Sequence, residues 1–324
     1  MKWQTAVIIP KSNFEINHDH KIISIGSCFS EHIGNIFHQY KFNIFLNPFG
    51  QLYNPFSIAK SIEIALNAKK YEESDLFFHT GLWHSFDHHS DYSHQQSEIV
   101  LQNVNSGIAR LHKFINEADY LFITFGTAFY FHHISSNKHV ANCHKVAAKE
   151  FERKLLNPET IIEVYNDLLG KLRLLNPKLH VVFTVSPVRY LSFGNFENST
   201  SKGALFVALD AIFKSNSNVS YFPSYEIIMD ELRDYRFYSE DMIHPSHSSI
   251  LHVWQRISET FFNKETHDLL NKIEQINKAL NHKPFNPESQ EHLKFREQVG
   301  LKIADFKAKY PLLNFDSEIE MLRV

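Results

Sequence analysis

Two stretches of this chain carry side chains able to attack a carbon and to move a proton. At IGSCFSEHIG (25–34), Ser27 and Cys28 stand side by side where a short apolar run, KIISIG, gives way to helical spacing. Far downstream, SEDMIHPSHSS (239–249) places Asp241 three residues before His244. A nucleophile at a strand-to-helix turn meets the free N–H groups and positive partial charge of a helix N-terminus. Those depress a thiol's pKa and can receive an oxyanion. A carboxylate three residues before a histidine can hold the imidazole Nδ1 and leave Nε2 facing a nucleophile. Pro245 stiffens the backbone just after. Each stretch also has a plainer reading. Cys28 serves as a buried small hydrophobe with Ser27 as an N-cap. SEDMIHPS is then a polar loop before a helix that Ser246 caps.

The elements that must position these residues alternate. KIISIG (21–26), NIFL (43–46), YLFITFG (120–126), HVVFTVSP (180–187) and VSYFPS (219–224) read as strands. Residues 28–40, 56–68, 96–117 and 201–215 have helical spacing. A loop region over 127–148 is followed by helical sequence to about 175. This alternation predicts a parallel sheet with helices on both faces. Sites in such sheets lie beyond the strands' carboxyl ends, where Gly26, Gly50, Gly126 and Ser186 fall. The segment 75–95 has no period and reads as an irregular insertion. After residue 246 the chain is helical, and the part from about 264 is amphipathic without catalytic residues.

Composition sets outer limits. The 324 residues suit one large domain with additions, and 43% hydrophobic with 21% charged residues is ordinary for a globular chain. A net charge of -3 offers no field for nucleic acid. No run approaches a membrane span, and the N-terminus lacks the pattern of a secretory signal. Two cysteines make no disulfide framework, so the expected setting is cytoplasmic with reduced thiols.

The motif GSCFS (26–30) resembles the one for which the GSCFA-domain proteins are named, and these look like members of the SGNH, or GDSL-type, hydrolase superfamily. NPFGQLYNP, FITFGTAFYF, NCHK, TVSPVR and YFPSYEIIMDELRDYRFYSEDMIHPS extend the resemblance over nearly residues 1 to 250. It implies a three-layer α/β/α, flavodoxin-like SGNH-hydrolase-like domain over 1–263 with a helical C-terminal extension over 264–324. Carried over residue by residue, the superfamily's nucleophilic serine falls on Cys28 and its aspartate on Ser27. A backbone donor to the oxyanion falls on Gly50, with Asn54 nearby as a side-chain donor. The third block, Gly-x-Asn-Asp, reads Gly126-Thr127-Ala128-Phe129, so its asparagine is missing. The last block matches Asp241 and His244. Two alternatives stay open: Ser27 acting from a shifted turn, and Asn54 or Asn142 replacing the lost donor.

The expected function is therefore a hydrolase or acyltransferase acting on an ester. The resemblance favours small acyl groups on carbohydrate or lipid. A binding protein that keeps the fold is the alternative. Neither reading calls for a cofactor. NCHK would bring Asn142 and His144 to the pocket, or form a packed loop. Arg189 would hold a substrate carboxylate or phosphate, or be solvated. His79, His84, His88, His89 and His94 crowd the insertion, but no pair has a recognised helical zinc spacing. We read that segment as a loop over the active site rather than a metal centre. The C-terminal helices would pack on the domain or pair with another chain.

Overall fold

In the computed structural model, which describes residues 4–282, 285, 286 and 288–323, the first strand β1 (Lys21–Gly26) enters helix α1 (Cys28–Gln39) directly. Next come β2 (Asn43–Leu46), α2 (Pro55–Leu66), the short β3 (Phe77–His79) and β4 (Leu82–His84), and the long α3 (Ser97–Glu117). The middle of the chain holds β5 (Tyr120–Phe125), β6 (Phe129–His133), β7 (Lys138–Val140), β8 (Phe151–Leu155) and α4 (Pro158–Leu175). Then follow β9 (His180–Val185), α5 (Asn195–Ser215), β10 (Val219–Tyr221) and the short α6 (Ser224–Glu226), which widens into a π-turn over Ile227–Glu231. The last helices are α7 (His247–Phe261), α8 (Lys264–Leu280), α9 (Gln290–Lys309) and α10 (Asp316–Arg323).

The main sheet has strand order β2-β1-β5-β9-β10, all parallel. From β1 the chain moves to one edge, then returns across β1 to β5. The direction of winding therefore reverses between β1 and β5, and the crevice outside their carboxyl ends is where such sheets bind ligands. Both faces are covered. Ile23 and Ile25 of β1 pack with α2, α3, α4 and α5, while Ile22 packs with Phe29 and Phe37 of α1 and with Val253 and Trp254 of α7. This is the period-two alternation of a strand buried on both sides. Each fully buried aliphatic or aromatic side chain contributes about 1.5–3 kcal/mol. The helical extension has a smaller core of its own, built on Leu269, Ile273, Val299, Ile303 and Phe315.

Two expectations fail. Residues 127–155 are not a loop leading into a helix but a three-stranded antiparallel sheet, order β7-β6-β8. Glu152, Arg153, Lys154 and Leu155 are good helix formers. Pairing with β6 overrides that preference, and the helix starts at Pro158 under an Asn157 cap. No residue of the insertion 75–95 lines the cavity at Cys28. The insertion forms the β3–β4 hairpin and packs on the flank of the domain. There Trp83 and Tyr92 join the first core and the Tyr92 hydroxyl donates to Pro48 O at 2.6 Å. His84 and His88 are buried. Among the described residues no group of three or more His, Cys, Asp or Glu is placed to hold a metal ion. No described helix is long and apolar enough to cross a membrane.

Candidate active site

The turn through Ser27 and Cys28 is possible only because β1 ends in glycine. A Cβ on Gly26 would lie 2.6 Å from Thr124 O on β5. The turn is then tied down from outside the sheet. Asn47 Oδ1 accepts from Gly26 N–H at 3.0 Å, and Leu52 N–H donates to Gly26 O at 2.9 Å. Ser27 takes the N-cap position of α1, yet its side chain makes no cap hydrogen bond. Its Oγ is sealed and has no partner among the described residues, and the residue is 1% exposed. Cys28, the first residue of the helix, is half-buried and lines a cavity. The helix N-terminus does not depress its thiol as expected: burial, with Glu31 adding to it, pushes the thiol up. The N–H groups of Phe29 and Cys28 and the charge of Lys202 pull the other way without overcoming it.

Asp241 and His244 meet as their spacing suggests. His244 Nδ1 donates to Asp241 Oδ2 at 2.6 Å, and Asp241 Oδ1 accepts the backbone N–H groups of Ile243 and His244, both at 2.9 Å. Met242, at φ +58°, supplies the left-handed step that folds the four residues round the carboxylate. These bonds hold the Asp241 carboxyl at about 2, and its ionised form keeps the imidazole proton on Nδ1. Ser246 caps α7 by accepting from Ser249 N–H, which anchors the loop.

The other candidates divide. Asn54 lines the cavity and is nearly buried. Its Oδ1 caps α2 by accepting from Ser57 N–H at 2.9 Å, while its amide nitrogen has no partner among the described residues. Gly126 and Thr127 also line the cavity, but both of their N–H groups donate to Tyr53 O, at 2.8 and 2.9 Å. The Thr127 hydroxyl is engaged with Ser201 Oγ. Neither residue is therefore a free oxyanion donor. Gly50 is not in the cavity, and its N–H already donates to Asn47 O at 2.7 Å. Its φ of +75° and a Cβ position 2.2 Å from His89 Cβ explain the glycine. Asn142 and His144 are also outside the cavity. Asn142 Oδ1 accepts from His144 N–H, and His144 Nε2 pairs with Ser85 O in the insertion. Arg189 lies exposed on the cavity's edge with no carboxylate partner among the described residues.

Lys202 was missed. It is 3% exposed on α5, and its Nζ donates to Gly126 O at 2.7 Å and Ser186 O at 2.6 Å. Lysine is almost never buried this deeply without a carboxylate. The helical period could have found it. Lys202 falls three and seven residues before Leu205 and Leu209, on the buried face of its helix.

Cys28, Asn54 and His244 open into one cavity of about 830 Å³. Phe129, Phe131, Ala141, Val188, Leu191 and Ile243 give it mostly apolar walls. The sequence matches the GSCFA family over residues 21–257. The chain belongs to the GSCFA family. A second match, described as the C-terminal domain of GSCFA domain proteins, covers residues 273–324 of this GSCFA chain. Among curated proteins nothing matches. Solved structures similar to it include a carbohydrate esterase family 3 protein from Talaromyces cellulolyticus, at 11% identity and a TM-score of 0.35, covering 79% of this chain and 99% of that one. An acetyl esterase mutant with acetate ion stands at 12% identity, a TM-score of 0.34 and coverage of 79% and 99%. An acetyl xylan esterase from the rumen bacterium Butyrivibrio proteoclasticus stands at 11%, 0.36, and 79% and 65%.

Proposed function

We propose that this chain cleaves esters through Cys28, with His244 as general base and Asp241 holding it, and passes the acyl group to water or to an acceptor hydroxyl. The observation that carries the reading is that the Cys28 thiol and an Asp241-fixed imidazole open into the same cavity. The thiol is not preformed as thiolate, so His244 Nε2 takes its proton as the sulfur attacks the carbonyl carbon. The oxyanion is received by the Cys28 N–H at the first turn of α1 and by the Asn54 amide. His244 returns the proton to the departing alkoxide and leaves a thioester on Cys28. Water or an alcohol, deprotonated by the same imidazole, then releases the acyl group.

The cavity refines the substrate. Its apolar walls and volume suit an acyl group longer or broader than acetyl. Arg189 suits a carboxylate or phosphate on the alcohol part. The raised thiol favours a second reading, a binding protein that keeps the fold. Covalent labelling separates them. A thiol-reactive chloroacetamide and a serine-reactive fluorophosphonate are applied separately, with peptide mass spectrometry on the unsubstituted, Cys28→Ala, Ser27→Ala and His244→Asn chains. Chloroacetamide on Cys28, weakened in His244→Asn, supports the thiol enzyme and justifies a panel of esters of rising acyl length. Fluorophosphonate on Ser27 moves the nucleophile by one residue. Labelling at neither residue favours the binding protein.

A further inference from the structure

The deepest charged side chain of the domain has no role in the mechanism above. Lys202 Nζ is held by two carbonyls, Gly126 O and Ser186 O, at the carboxyl ends of β5 and β9. Both residues line the cavity. Gly126 also lies against the nucleophile turn, since a Cβ on it would be 3.4 Å from Ser27 Cβ. Two neutral carbonyls take up two of the three ammonium donors and neutralise none of its charge. Among the described residues, Cys28 of α1 and Arg189 of the loop after β9 are the ionisable groups whose charges act on Lys202, and the Tyr225 ring of α6 lies 5.8 Å from its Nζ. Arg189 repels it, and Cys28 is the group whose ionisation would compensate it.

We propose that Lys202 is the counter-charge of the nucleophile: its ammonium, locked between two strand ends beneath the turn, stabilises negative charge on the Cys28 sulfur. It acts through Cys28 and is a positioning residue. The inference rests on Cys28 being the nucleophile. It also explains how a buried thiol can ionise at all. Burial lowers Lys202 to about 7, so its ammonium supports the thiolate below that pH, where His244 takes the thiol's proton, and the support fades as pH rises above it.

The test is the rate of Cys28 alkylation against pH, followed by peptide mass spectrometry. A lone buried thiol gives a rate that climbs about tenfold per pH unit up to its pKa. A thiol paired with Lys202 gives a break to a flatter segment above about pH 7. A thiol paired with protonated His244 would give a similar break, so the variants decide. Lys202→Gln keeps donors for the two carbonyls without the charge, and Lys202→Met removes both. Loss of the break in both variants, with its survival in His244→Asn, is the expected result. Survival of the break in folded Lys202→Gln, or its loss in His244→Asn alone, overturns the proposal. It would leave the ester-cleaving reading standing with an imidazole partner. Should neither lysine variant fold, His244→Asn decides alone: a break that persists supports Lys202, and its absence refutes it.

Discussion

Asn54 has two jobs in this account, and they can be separated. Its Oδ1 caps α2 through Ser57 N–H at 2.9 Å, and its amide nitrogen is assigned to the oxyanion. Both Asn54 and Ser57 are nearly buried, at 6% and 7% exposure, so water would replace a lost cap poorly. Asn54→Ala should therefore cost about 1–2 kcal/mol of stability, in the upper part of the range for caps. Asn54→Asp keeps an acceptor that caps as well as asparagine, and it places negative charge favourably at a helix N-terminus. It removes the amide donor and puts a carboxylate where the oxyanion forms. Loss of one such donor lowers the rate about 10²–10³-fold. The assay is acylation of Cys28 by a chromogenic p-nitrophenyl ester under single-turnover conditions, beside a thermal melt. Asn54→Ala should fail on both measures and Asn54→Asp on the rate alone. An Asn54→Asp chain that acylates at the original rate would refute the assignment. Asn54 would then be only a cap.

Ser27→Ala should leave acylation unchanged and raise stability by about 1 kcal/mol, because it deletes a buried hydroxyl that has no partner among the described residues; abolished acylation would show that the hydroxyl reacts after all. Gly26→Ala should lower the melting temperature sharply and abolish Cys28 labelling, since the added Cβ would meet Thr124 backbone at 2.6 Å and β1 must part from β5. A variant that kept both properties would refute the close-approach argument. The insertion should open first in acid. Burial lowers His88 to about 3 and His144 to about 4, while the unfolded chain binds protons from about 6.5 downward. Stability from these rings is thus complete above that pH and declines as pH falls toward 4 and then 3. Amide exchange over 84–94 should be faster at about pH 5 than at about pH 7, after correction for intrinsic rates. Equal protection would contradict this.

Much of the scaffold is legible because its residues answer to one local rule. KIISIG and NIFL are short apolar runs, and their bounds are those of β1 and β2. Asp241 and His244 are three residues apart, and nothing distant is needed to bring them together. What stayed hidden depends on partners remote in sequence. FERKL becomes a strand because β6 lies beside it. The N–H groups of Gly50, Gly126 and Thr127 look available in a motif but are taken by Asn47 and Tyr53. The thiol's electrostatics could not be read from the helix N-terminus alone, because the burial that opposes it comes from the whole cavity. His144 has a catalytic residue type, yet it is drawn away from the pocket by Ser85, nearly sixty residues earlier.

The far end of α1 carries a different implication. Lys41 pairs with Glu318 of α10, and the Asn277 amide of α8 donates to Gln39 O at 3.2 Å. Tyr40 stacks on Trp254 and also packs against the small core of the extension, while Leu270 of α8 belongs to the core beneath the sheet. The helix that presents the sulfur is therefore clasped at its other end by the last sixty or so residues. A gene that encoded the first segment alone would make a protein with that clasp missing and an oily seam uncovered. The two matched segments therefore have a mechanical reason to be joined, and the side chains of Tyr40 and Lys41 are tied to the helices that grip them, whereas Gln39 is held through its backbone carbonyl.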